Sequence, residues 1–66
     1  MINIKYDKQG DILEIRFSEK AIADSEYVEE SGLVVDYDET GKLVAVELIS
    51  FSKRVGKEEA AEALAI

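Results

Sequence analysis

The sequence predicts an α+β domain: an antiparallel β-meander of four to five strands, made of two similar hairpins, with a short C-terminal helix packed on one face. Three observations predict it. Apolar and polar residues alternate with period two through most of residues 2–50. Two turns of like composition, Asp7-Lys8-Gln9-Gly10-Asp11 and Asp38-Glu39-Thr40-Gly41-Lys42, punctuate that alternation. After Ser50 the period changes and alanine accumulates. One domain spanning residues 1–66 follows, with a β part at 1–50 and a helical segment at 51–66.

The first strand rests on Ile2, Ile4 and Tyr6, which alternate with Asn3 and Lys5. Gly10 is available for a positive φ in the turn that follows. Leu13, Ile15 and Phe17 make one side of the second strand, and residues 18–23 read as a connection. Residues 24–30 form a weak, highly charged third strand anchored by Tyr27 or Val28, the composition of a protected edge. Ser31-Gly32 turns the chain into a fourth strand, where Leu33, Val35 and Tyr37 share a face. Residues 43–49 are apolar on both sides, which predicts a central strand covered on both faces. Ser50 or Ser52 is positioned to cap a helical turn ending at Gly56. A helix over 57–65 follows, too short to stand alone and therefore docked on its own sheet or a neighbouring subunit. The predicted core holds Ile2, Ile4, Tyr6, Leu13, Ile15, Phe17, Leu33, Val35, Tyr37, Val44, Val46, Leu48 and Leu64.

Residues 6–18 align with residues 37–49 at an ungapped offset of 31. Tyr-Asp-x-x-Gly opens both copies, so two hairpins with one turn recipe build one sheet. Cross-strand partners share a face. A three-residue loop would set Tyr6 opposite Ile12 and mix the faces. A four-residue loop sets Tyr6 opposite Leu13 and Ile4 opposite Ile15, so the longer loop, or a bulge beside Gly10 and Gly41, is predicted.

Composition closes off several chemistries. The 66 residues contain no cysteine and no histidine, so disulfides, thiolate sites, imidazole catalysis and the common zinc sites are excluded. A chain this small buries only about 60% of its unfolded surface and needs a staple, which leaves self-association: a homodimer is expected. The formal charge of −7 falls entirely within residues 21–47, where eight acids face only Lys42. That balance argues against nucleic-acid and membrane partners and for a basic protein partner. The candidate contact residues are Asp24, Glu26, Glu29, Glu30, Asp36, Asp38 and Glu39, with Lys53 and Arg54 as the one basic cluster. The bland alternatives are a self-repelling soluble surface for the acids and a solvated turn for the bases. No basic n-region and apolar h-region follow Met1, which predicts a cytoplasmic location.

Asp36-x-Asp38-x-Thr40-Gly41-x5-Glu47 approaches the calcium-loop pattern. Strand formers on both sides would carry Glu47 about 20 Å from Gly41 at roughly 3.3 Å per residue, so an Asp-rich β-turn is the better reading. Asp36 and Asp38 share a face and could couple, but acid–base catalysis would need a pocket. Ser50, Ser52 and Lys53 lack a supported base, and the glycines lack phosphate-cradling spacing. No catalytic, metal or cofactor residues are assigned.

Ile4-x-Tyr6-Asp7-x-x-x-Asp11-x-Leu13-x-Ile15, Gly32-Leu33-Val34-Val35-Asp36-Tyr37-Asp38, Gly41-Lys42-Leu43-Val44-x-Val46-Glu47-Leu48-Ile49 and Ser52-Lys53-Arg54 together resemble the domain of unknown function 2283 family of short prokaryotic proteins. Residues 2–55 carry the resemblance. The family pattern often has alanine between aspartate and leucine in the first hairpin, near Ile12 here. The resemblance implies a small β-rich fold with a C-terminal helical piece and no catalytic residues to carry over. It adds the reading of an antitoxin-like partner for a basic protein. The leading expectation is a non-enzymatic homodimeric interaction module. The alternatives are a small-ligand binder at a dimer groove and, last, a small enzyme.

Overall fold

The computed structural model describes residues 2–56 and Glu58. Five strands and one short helix follow in order: β1 (Asn3–Asp7), β2 (Ile12–Arg16), β3 (Asp24–Val28), β4 (Leu33–Tyr37), β5 (Leu43–Ile49) and α1 (Phe51–Val55). They form one antiparallel sheet of order β1-β2-β5-β4-β3. The expected antiparallel sheet with a short helix is therefore present, but the order is not that of a sequential meander. β5 enters between β2 and β4 because both of its sides are apolar and each edge needs a partner. Val44 and Ala45 are fully buried there. Residues 17–23 pass along the end of the sheet from β2 to β3. Phe17 N–H donates to Val44 O (2.7 Å), Ala23 N–H to Tyr37 O (2.8 Å), and Arg16 Nη1 to Ser18 O and Lys20 O (3.1 and 3.3 Å).

The first hairpin has the predicted register, Tyr6 opposite Leu13 and Ile4 opposite Ile15, across a four-residue loop at 8–11. Asp11, not Gly10, takes the positive φ (54°). Aspartate tolerates this conformation better than most residues, and here it aims a carboxylate at three donors. Tyr6 Oη–H donates to Oδ1 (2.6 Å), and Ser52 donates through N–H (3.1 Å) and Oγ–H (2.7 Å). These bonds hold the Asp11 carboxyl below its usual range, Tyr6 foremost, and raise the Tyr6 phenol. The second hairpin pairs Val35 with Val46 and Leu33 with Leu48, then shifts register so that Tyr37 faces Leu43. The extra residue, Val44, is a bulge on β5. In both copies the turn aspartate accepts from the amide two residues on: Asp7 from Gln9 (3.1 Å), Asp38 from Thr40 (2.8 Å).

Ile15 and Val46 are equivalent positions of the 31-residue repeat, and they pair with each other. An approximate two-fold axis normal to the sheet therefore passes between them and carries β1-β2 onto β4-β5.

The packed cluster is Leu13 and Phe51, flanked by Tyr6, Ile15 and Leu48. The Tyr6 and Phe51 rings meet edge to face, centroids 5.9 Å apart. Ile2 and Ile4, assigned to the core by alternation, are each 63% exposed, and Phe17 is 38% exposed. Alternation reports which face a side chain shares, not whether that face is covered. Leu33, Val35, Tyr37, Val46 and Leu48 are half-buried. Phe51 and Ala45 are buried without having been expected. The predicted helix over 57–65, and Leu64 with it, lie outside the described residues.

Ser50 occupies the N-cap position of α1 but makes no side-chain capping bond. Asp11 does that work from 41 residues away, satisfying the Ser52 amide. The helix ends at Gly56 (φ 80°), as predicted. Arg54 ties α1 to the other hairpin, donating to Ile49 O (2.6 Å), Ser31 O (2.7 Å) and Gly32 O (3.0 Å). A Cβ on Gly32 (φ 73°) would collide with Arg54 Nη2, whereas one on Gly41 (φ 84°) would meet nothing within 4 Å. Gly32→Ala is expected to cost about 2 kcal/mol and Gly41→Ala about 1 kcal/mol. Urea unfolding of the two variants checks this, and equal costs would remove the guanidinium contact as a cause.

Candidate functional site

β3 is an edge strand, and residues 24–27 are all exposed. Asp24 and Glu26 stand on the face shared with Tyr37 and Val35, while Ser25 and Tyr27 stand on the other. Val28, half-buried opposite Leu33, is the anchor, and Tyr27 is 60% exposed. Glu26 accepts from Tyr37 Oη (3.3 Å). Burial, followed by the Glu26 charge, pushes the Tyr37 phenol up. Glu29 and Glu30 extend the acidic edge into the β3–β4 turn, exposed, with no Lys or Arg anywhere in residues 21–41.

Not every acid of the segment belongs to that edge. Asp24 and Glu39 meet at a shallow hollow beside Tyr37 and Gly41. Asp38 is buried, contrary to its assignment as a contact residue. Its carboxylate accepts from Thr40 Oγ–H (2.6 Å), Thr40 N–H (2.8 Å) and Lys42 N–H (3.0 Å), and these bonds, Thr40 first, lower its pKa. Asp36 is 1% exposed and equally closed to a partner. Lys53 is exposed on α1, while Arg54 is engaged with carbonyls of its own chain.

Asp36 belongs instead to a carboxyl group on the opposite face. Glu14 lies directly across from Glu47, and Asp36, paired with Ala45, is diagonal to Glu47. Ser25 Oγ–H donates to Asp36 Oδ1 (2.6 Å), and Asp36 Oδ2 is buried without a partner among the described residues. The hydrogen bond to Asp36, then burial, then the charges of Asp36 and Glu14 push Glu47 up to about 7. Glu47 thus keeps its proton beside Asp36, whose Oδ2 has no hydrogen-bond partner among the described residues. Glu14 is offset by Arg16 (Nε–Oε1 3.5 Å) and faces Lys5 across the ladder. Lys5, Asp7, Ile12, Glu14 and Glu47 line a shallow open hollow. The arrangement keeps Glu47 protonated into the neutral range.

The coupled pair is therefore Asp36–Glu47 rather than Asp36–Asp38. The β4–β5 register places Glu47 diagonal to Asp36. Glu14 joins them only through β2–β5 pairing, which no local pattern encodes. β4 and β5 flank the calcium-like loop, and among the described residues no three His, Cys, Asp or Glu side chains converge as a metal cage. No helix among them is long and apolar enough to cross a membrane.

No curated protein and no solved structure matches the chain. A family model does, over residues 3–52, most of the chain and the same span that holds the two hairpins, the bulge and the Asp11–Ser52 tie. On that match the chain belongs to the DUF2283 family, whose description is protein of unknown function.

Proposed function

We propose that the protein is a non-enzymatic interaction module that presents the acidic β3 edge to a basic partner protein. The observation that carries this reading is the joint exposure of Asp24, Glu26, Glu29 and Glu30 along an edge whose main chain is open on one side among the described residues. An open edge accepts an extended segment by strand addition, with backbone bonds supplying affinity and side chains specificity. A continuous run of carboxylates selects lysine and arginine on that segment and speeds its encounter. Asp36 and Asp38 support the scaffold rather than the contact, since both are buried. An antitoxin-like role fits the same chemistry.

The test is fluorescence anisotropy with a labelled extended peptide rich in lysine and arginine, against a neutral peptide of equal length. Binding of the basic peptide is expected to weaken about tenfold between 50 and 200 mM salt, and to be lost when Glu29 and Glu30 are both replaced by lysine. Equal binding of the neutral peptide, or indifference to the two replacements, would refute the reading.

A further inference from the structure

We infer that two copies of this chain join through β1, antiparallel, with Ile4 on the two-fold axis. The outer edge of β1 pairs with nothing among the described residues. The internal two-fold places β1 where β4 stands, and β4 has β3 laid against its outer edge. The corresponding place beside β1 is open, and it is there that Ile2 and Ile4 are each 63% exposed. An edge carrying large apolar side chains is a template for a further strand.

The occupant follows from faces and charge. Ile2, Ile4 and Tyr6 share one face of β1. On β3 the corresponding side chains are Asp24, Glu26 and Val28. Pairing β1 with a neighbour's β3 would set isoleucine beside carboxylate and would build an open filament. Pairing β1 with β1 sets apolar beside apolar and closes. Three registers keep the faces sorted over several residues. Centring on Lys5 opposes two lysines, and centring on Asn3 leaves Tyr6 unmatched. Centring on Ile4 pairs Ile4 with Ile4, Ile2 with Tyr6 and Asn3 with Lys5, with no like charges opposed. The result is a ten-stranded sheet with the two acidic β3 edges outermost. Nine strand spacings separate them, about 43 Å. That is several screening lengths of about 8 Å, so the acids of the β3 edges do not oppose this union. Since β1 and β3 are opposite edges, the inference stands apart from the β3 reading.

Sedimentation equilibrium of the full chain across a dilution series is expected to give twice 7.3 kDa. Ile4→Lys places two cations on the axis and is expected to weaken association at least about tenfold. The chain has no cysteine, so single-cysteine variants report only on their own copy. Ile4→Cys is expected to oxidise to a disulfide-linked dimer faster than Lys5→Cys, because directly opposed Cβ atoms come within disulfide reach. A single-chain mass at every concentration, growth beyond the dimer, or Lys5→Cys linking as fast as Ile4→Cys would each overturn the inference.

Discussion

Replacing Glu47 with glutamine is expected to make the protein more stable at pH 8 by about 1 kcal/mol, solvent screening at this half-buried site reducing the effect of the shift, and to leave it unchanged near pH 4.5. In the folded chain Glu47 holds its proton up to about pH 7, against 4.5 for the free side chain. Between those values the unfolded chain has lost a proton that the folded chain keeps, so wild-type stability falls as pH rises through the window and is flat above it. Glutamine keeps a donor for Asp36 and cannot ionise beside Asp36 and Glu14. On the acid side the direction reverses. Asp11 and Asp38 are held below their usual pKa of 3.8, so the stability they contribute is present above that value and is lost as pH falls. The wild type is therefore expected to be most stable near pH 4–5, rather than in the commoner range of about 5 to 8. Urea unfolding followed by circular dichroism at pH 4.5, 6, 7 and 8 measures the difference. A gap between wild type and Glu47→Gln that does not widen with pH would dismiss the proton held on Glu47.

Phe51→Ala is expected to cost about 3 kcal/mol, a large share of the roughly 3–10 kcal/mol that a chain of 66 residues commands. Phe51 is one of four buried hydrophobic residues among those described, and its ring clusters with Leu13 and meets Tyr6 edge to face. Its loss leaves a cavity beside Leu13. The melting temperature should drop by about 12 °C or more. Phe51→Leu should recover most of this, and Val55→Ala, at a 37% exposed site on the same helix, should change stability by less than about 0.5 kcal/mol. An unchanged melting temperature for Phe51→Ala would mean that α1 adds nothing to the fold.

Much of this architecture was legible before any coordinates. The Tyr6–Leu13 register follows from parity alone, because a strand's side chains alternate and only one loop length sorts them. The central place of β5 follows from its two apolar sides. Other features rest on distance in sequence. Nothing near Ser52 announces that Asp11 will satisfy its amide, and the local rule pointed to Ser50 or Ser52 as the cap. Asp36 reads as a solvent-facing position of a half-buried strand. It is buried because β3 and β5 put Ser25 and Ala45 on either side of it. The acidic edge at β3 was legible as charge, but its division into exposed and buried acids was not. Ile2 and Ile4 show the converse case, correct in face and incorrect in burial.

The place of β5 governs when the chain can fold during synthesis. Among the described residues it is the last strand made, and it joins the β1-β2 and β3-β4 ribbons. Until residue 49 emerges the nascent chain owns only β1-β2 and β3-β4, two isolated ribbons of five-residue strands, and such ribbons are barely stable alone. Translation as far as β4 therefore delivers an essentially unstructured polypeptide whose sheet must collapse in one cooperative event once β5 has emerged, and a ribosome stalled before that point holds little sheet that resists a protease.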